Sequence, residues 1–410
     1  MEFGKKHVLI WGSIFLLLVG LVLAIRQLYV MFAVLALLAP VSYYLSRGTL
    51  ETLEVKREAP GLMKAGQQRA VRLTVTNIGV RRRYFFTIRD RLPDGLEQVG
   101  EGDGRSLVPS LAAEEQFLHE YVLNAKRRGV YRIGPALLSH SDLIGLFSFE
   151  REVGRADELV VHPTPERIPA IWTRVASLRS PERPRRRFRG EGNELYGTRP
   201  FVPGDDLRRV DWNATARRGH LVVREYERAE ATDAAIILDL SRRSHSGEGD
   251  DNTLERGVKL AASVAVQMLE RGSSVGLIAA GAADASVPPS ADPRQRVRIF
   301  DVLARVNADS DEHLSEAVTG HLQYIPSSGM VIVISPTLET EALEIAEGLM
   351  GRGHAVLWAT VEALGQAVAR AGEVDAQQLA ARLADRGVDA WTLMAGRELP
   401  VAMRRAQRGR

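Results

Sequence analysis

The stretch GDDLRRVDWNATARRG, residues 204–219, holds three aspartates, four arginines and one tryptophan in sixteen positions. Carboxylates at this density suggest acid–base chemistry, which needs one carboxyl protonated and another ionised. The arginines oppose that assignment, because neighbouring guanidinium groups keep carboxylates ionised. Asp205, Asp206 and Asp211, with Glu225 and Glu227 just downstream, can instead pair with Arg208, Arg209, Arg217 and Arg218 through planar, bidentate forks. Trp212 can bury its ring and use its indole N–H as a donor. Three uses stay open: an ion-pair clasp, a partner-docking surface, or a catalytic cluster. Elsewhere the chain has no GxxxxGK[ST] phosphate loop, no HExxH and no cysteine. The common nucleotide, zincin and thiol chemistries therefore lack their residues.

The elements that must position this stretch follow from hydrophobic patterning. DAAIILDLS, SSVGLIAAG, GMVIVIS, HAVLWATV and VDAWTLMA are apolar runs of strand length, separated by helical patterns such as TLERGVKLAASVAVQMLERG and PRQRVRIFDVLARV. Continuous apolar strands alternating with amphipathic helices specify a doubly wound α/β sheet over residues 229–400. In such sheets ligands bind beyond the carboxyl ends of the strands. The first strand ends there in Asp239, Ser241 and Ser244. Hard oxygen ligands of this kind suit Mg²⁺ or Mn²⁺. The alternative is a loop whose side chains cap the next helix or satisfy local backbone.

Upstream, residues 51–165 carry short alternating runs (TLEVKRE, RAVRLTVTN, YFFTIRDRL, QFLHEYVLN, GVYRIGPALLS) punctuated by APG, NIG, PDG and RRG. That spacing reads as a β-sandwich of about seven strands, a spacer or interaction module. Residues 166–191 form a Pro/Arg-rich linker in which 179–190 hold six arginines and one glutamate. Contact of Arg183–Arg189 with nucleic acid or lipid is a lesser reading than a solvated linker. A net charge of +3 does not call for a nucleic-acid partner. A short basic tail, 401–410, closes the chain.

At the amino terminus, residues 8–25 and 28–45 are uncharged and each long enough to cross a bilayer as a helix. Within residues 1–48 they make a two-helix transmembrane hairpin. A signal peptide fits less well, since its apolar core is shorter and no second run should follow. Lys5 and Lys6 precede the spans, Arg47, Lys56 and Arg57 follow them, and only Arg26 lies in the turn. The positive-inside rule places both ends, and everything after them, in the cytoplasm.

Residues 192–228 resemble the signature of the bacterial family known as domain of unknown function 58. The resemblance rests on Arg199, Phe201, Pro203, Gly204, Asp205, Asp206, Arg208, Asp211, Trp212, Ala216, Arg217, Glu225, Tyr226 and Glu227. RRGVYRIGP and SDLIGLFSFE, within 127–150, look like further family features. Membership implies a von Willebrand factor A-like α/β domain, in which an Asp-x-Ser-x-Ser loop holds a divalent cation. Asp239 and Ser241 follow that pattern. Arg243 stands at its fifth position with Ser244 one place late, and Ser335 stands where a second strand would offer Asp. The resemblance also implies a bacterial inner-membrane location and a MoxR-type AAA ATPase as partner. The expected function is a non-enzymatic, membrane-anchored adaptor. The alternative is a metal-dependent hydrolase using the Asp239/Ser241 loop and the Asp205–Asp211 cluster.

Overall fold

The computed structural model describes the chain outside residues 1, 101–103, 143, 169–188, 191–193, 203–204, 208–209, 228–232, 248, 250–251, 283–284, 328, 339, 363–374, 395–398, 400–402 and 407–410. It divides into two compact units, Met1–Pro163 and Thr164–Arg410.

The first unit begins with α1 (Glu2–Leu23) and α2 (Arg26–Ser46), separated by Ala24 at a positive φ. Gly12 lies against Leu35 and Gly20 against Leu28 and Tyr29, so the helices run antiparallel with small residues at the contact. By length and composition α2 can cross a membrane; the apolar part of α1, His7–Leu23, is shorter. Most side chains of both helices are exposed, among them Trp11, Phe15, Leu37 and Leu45.

The β module that follows has eleven strands among the described residues, more than the seven expected. One sheet orders β1 (Leu53–Glu58), β3 (Gln68–Asn77), β7 (Gln116–Ala125) and β5 (Leu96–Val99). A second orders β10 (Ser148–Val153), β9 (Ala136–Ser141), β4 (Arg83–Asp90) and β6 (Ser106–Leu111). A third joins β2 (Leu62–Lys64), β11 (Asp157–His162) and β8 (Gly129–Ile133). Two of the strands, β2 and β5, are only three and four residues long and show too few alternations to register as a period. Inward residues alternate as a half-buried sheet demands: Val71, Leu73 and Val75 on β3 meet Phe86 and Ile88 on β4 in one core.

A buried ion pair stands in that core. The Arg57 guanidinium donates to both oxygens of Asp90, 2.8 and 2.7 Å, and the Tyr121 hydroxyl donates to Asp90 at 2.8 Å. The RRGVYRIGP stretch is structural. The Tyr131 hydroxyl lies 3.0 Å from the Arg127 carbonyl and 3.1 Å from that of Arg128. Any Cβ at Gly129, with φ +150°, would press on the Tyr131 ring.

The second unit contains the expected α/β layer. Its sheet orders β17 (Val287–Ser290), β16 (Val275–Ala280), β15 (Ala234–Asp239), β18 (Met330–Ser335), β19 (Ala355–Val361), β20 (Asp389–Leu393) and β21 (Met403–Arg405). The inner five are parallel and both edge strands antiparallel. α4 (Thr253–Leu269) and α5 (Gln295–Arg305) contribute Val258, Ala261, Ile299 and Leu303 to the core on one face. On the other face α6 (Leu314–Gly320), α7 (Glu341–Gly351) and α8 (Ala376–Asp385) contribute Leu314, Ala346 and Leu383. Burial on both faces explains why β15, β16 and β18 are apolar at nearly every position.

The signature strands form a separate small sheet. In it β14 (Val222–Glu227) lies between β12 (Arg189–Gly190) and β13 (Glu194–Pro200). Although HLVVREYE precedes DAAIILDLS in sequence, β14 pairs with β13, Val223 opposite Arg199 and Glu225 opposite Gly197. Most of the Pro/Arg-rich linker lies outside the described residues, but its start does not. The Glu166 N–H donates to Ser263 on α4, the Glu166 carboxylate takes the Leu399 N–H and pairs with Lys259, and Ile168 joins the core.

Candidate functional site

The signature loop is folded back onto β14 by backbone bonds. Phe201 N–H donates to Leu221, Asp211 N–H donates to Val222, and Val210 bridges Val223. Valines 210, 222 and 223 are buried, which anchors the loop from beneath. Asp205 and Asp211 then each have a constructional task. Arg199 grips Asp205 with two N–H groups, both 2.6 Å from carboxylate oxygens, and Asp205 also takes the Val202 N–H at 2.9 Å. That fork closes the turn between strand and loop.

Asp211 is the N-cap of α3 (Trp212–Arg218): its Oδ1 accepts the Ala214 N–H at 3.0 Å and its Oδ2 accepts Arg224 Nε at 2.9 Å. The Ala214 amide first, and the Arg224 bond second, hold the Asp211 carboxyl below its usual range, so it stays ionised. Gly219, in the left-handed region at φ 71°, ends the helix as its C-cap. The Val222 N–H then donates to Thr215 Oγ1 at 3.0 Å, stitching helix to strand.

Two expectations change here. Among the described residues, Asp205 is bound by Arg199 and Asp211 by Arg224, while Arg208 and Arg209 lie outside the described residues. Arg217 and Arg218 sit exposed in the last turn of α3, where they favour the helix dipole. Arg224 was missed by sequence reasoning, although its spacing on a strand opposite the cap offered a signal. Trp212, expected to bury its ring, is 65% exposed. Val202, Leu207 and Leu221 of the same loop and turn are exposed too, and Asp206 is exposed. Pro203, Gly204, Arg208 and the Glu225 side chain lie outside the described residues.

The second candidate, at the end of β15, is built differently. Asp239 is fully buried; its Oδ1 accepts the Ser241 N–H at 2.9 Å and its Oδ2 accepts the Ser335 hydroxyl at 2.6 Å. The Thr337 N–H donates to Ser335 Oγ at 3.0 Å. His245 stands between the strand end and α4, with Nε2 2.8 Å from the Asp239 carbonyl and Nδ1 2.9 Å from Thr253 Oγ1. Burial pushes its imidazole below the ordinary histidine range, which favours the neutral ring. The Ser244 N–H closes a turn to the Ser241 carbonyl, and Arg243 reaches toward His313.

These residues do not fit a divalent cation. The serine hydroxyl of β18 occupies the carboxylate oxygen that would face a metal, and no group of three His, Asp or Glu side chains able to hold an ion occurs among the described residues. Asp239, Ser241 and Ser335 are brought together as a hydrogen-bonded end to the sheet. Asp205 and Asp211 belong to the small sheet and are engaged by their own arginines.

Known proteins share parts of this chain. Residues 197–380 match the model of a family described as Protein of unknown function DUF58. The match spans the exposed tryptophan loop, the Asp239 loop and most of the α/β layer. Uncharacterized protein Rv1480 of Mycobacterium tuberculosis is 28% identical over 153 residues, 36% of this chain and 48% of that protein. Uncharacterized protein YeaD of Bacillus subtilis is 22% identical over 286 residues, 67% of each chain. The chain thus spans about half the length of the mycobacterial relative. Among solved structures, the CARDB domain of PF1109 from Pyrococcus furiosus is 17% identical, covering 27% of this chain and 94% of that domain at a TM-score of 0.20. At that score the likeness carries no argument.

Proposed function

We propose that the protein is a membrane-anchored adaptor whose signature loop docks a cytoplasmic protein partner. The observation that carries the reading is the exposure of Trp212 on a loop braced by the Asp205 and Asp211 carboxylates. Exposed aromatics held on a rigid frame are the kind of residue that dominates binding energy in protein interfaces. Their preorganisation lowers the ordering cost of association. Val202, Leu207 and Leu221 extend the apolar area, and exposed Arg217 and Arg218 supply a basic rim.

In this reading α1 and α2 cross the bilayer as a hairpin, with the β module and the α/β domain in the cytoplasm of a bacterial cell. The partner is a MoxR-type AAA ATPase, as the resemblance of the signature implies, and the α/β domain has a von Willebrand factor A-like arrangement. The Asp239–Ser335 bond supports an adaptor over a metal-dependent hydrolase, since it satisfies the one carboxylate a metal would need. Co-purification of the full chain with the ATPase from detergent-solubilised membranes, with and without ATP, tests this. Retention in at least one nucleotide state is expected, and no association in either state overturns it.

A further inference from the structure

The end of the β module next to α2 carries a surface that the docking loop does not account for. α2 stops at Ser46 and β1 starts at Leu53, so the intervening turn marks which end of the module adjoins the helix. The Asn77–Arg83 loop between β3 and β4 is tied to that turn. The Ile78 N–H donates to the Thr52 carbonyl at 2.9 Å, the Thr52 hydroxyl to Asn77 Oδ1 at 3.1 Å, and Arg83 Nε to Thr52 Oγ1 at 3.0 Å. A solvent loop held so firmly should be polar at its tip. This one presents Ile78, 58% exposed, and Val80, 93% exposed, followed by Arg81 and Arg82, both exposed.

A second loop at the same end packs on the last turn of α2. Phe147 meets Tyr43 edge-on with ring centroids 5.4 Å apart, Phe149 lies 5.8 Å from the same ring, and the Ser42 hydroxyl donates to Asp142. Asp142 also takes the N–H groups of Leu146 and Phe147, 2.7 and 2.9 Å, and its carboxyl is held below its usual range by these bonds against the opposing effect of burial. The braced loop leaves Ile144 exposed.

Resting on the reading of α2 as a membrane span, we propose that these two loops form a bilayer-contact face. Ile78, Val80 and Ile144 enter the headgroup layer, and Arg81 and Arg82 meet phospholipid phosphates. Apolar tips flanked by arginine are the composition that settles at a membrane interface, and guanidinium forks match phosphate oxygens. Continuity with the helix decides the occupant: whatever surrounds the last turn of α2 also surrounds loops bonded to it. Glu51, Glu114 and Glu115 lie at the same end, with Glu115 taking the Ala112 N–H. Bulk charge attraction is therefore weak, and insertion plus local phosphate contact sets the orientation.

The chain has no cysteine, so single-cysteine spin labels can be placed without background. The full chain would be labelled at Val34→Cys in mid-helix, Val80→Cys, or Gln68→Cys at the far end of β3, and set in nanodiscs of phosphatidylethanolamine and phosphatidylglycerol. Power saturation compares collision with oxygen, which concentrates in lipid, against a water-soluble nickel chelate. The expected oxygen preference at Val80 is severalfold above Gln68 and approaches Val34; Arg81→Glu with Arg82→Glu should return it to the Gln68 value. A lipidic Val34 with a Val80 matching Gln68 overturns this proposal alone. An aqueous Val34 overturns the membrane reading along with it. A lipidic Val80 unmoved by the glutamates overturns the phosphate contact.

Discussion

Replacing Trp212 with alanine separates a docking residue from a structural one. Trp212 keeps 65% of its surface in water, so about a third is covered by its own chain. Full burial of a large apolar side chain is worth ~1.5–3 kcal/mol, and a third of that is about 0.5–1 kcal/mol. Trp358, fully buried on β19, is the internal standard: its truncation should cost about 3–5 kcal/mol. An aromatic anchor at the centre of an interface costs about 2–4 kcal/mol of binding on truncation. That is a loss of about thirtyfold or more in Kd. The assay pairs urea unfolding of each variant with titration of the ATPase by fluorescence anisotropy. Trp212→Ala should bind at least about thirtyfold more weakly at nearly native stability. Unchanged affinity, or a stability loss like that of Trp358→Ala, would refute the reasoning.

Three further outcomes follow from the geometry. Asp90→Ala leaves the Tyr121 hydroxyl without its acceptor and Arg57 with only Asp157 and the Arg155 carbonyl as partners, and should cost about 1–3 kcal/mol in urea unfolding. Ser335→Ala leaves one Asp239 oxygen unpaired and should cost about 1–3 kcal/mol; thermal melts of wild type and variant should be indifferent to added Mg²⁺, whereas a rise in Tm with Mg²⁺ would restore the metal reading. His245 has a lowered folded-state pKa, chiefly from burial, so the unfolded chain binds the proton more readily. Its contribution is fully present above the ordinary histidine pKa of about 6.5 and is lost as pH falls below it. His119 and His354 shift the same way, each mainly through burial. His245→Gln should therefore shallow, not abolish, the fall in stability between about pH 6.5 and 5.

Much of the second unit was legible in the sequence because strands buried on both faces leave unbroken apolar runs such as AAIILD and MVIVIS. What the runs could not show was the partner of β14. Its buried Val222 and Val223 announce a strand, but periodicity sets a face and not a neighbour. Trp212 failed for a related reason. Composition argues for burying a tryptophan, and only the cap at Asp211 settles which way the first helical residue points. The dense charge at 204–219 suggested pairing within the stretch, but Arg199 and Arg224 reach Asp205 and Asp211 because the folded-back loop sets its own distances. At Asp239 the sequence offered metal ligation and local bonding as alternatives, with Arg243 and Ser335 departing from the metal pattern. The register that aligns β15 with β18 brings Ser335 onto the carboxylate, and no spacing within either strand encodes that.

The most direct test of the docking claim places a photo-crosslinking benzoylphenylalanine at position 212 in the full chain and irradiates native membranes. A crosslinked adduct containing the AAA ATPase, absent when the probe sits at Val297, also exposed but on α5, is the expected result. Irradiation that yields only adducts of this chain with itself or with lipid, while the ATPase is present and intact, would contradict it.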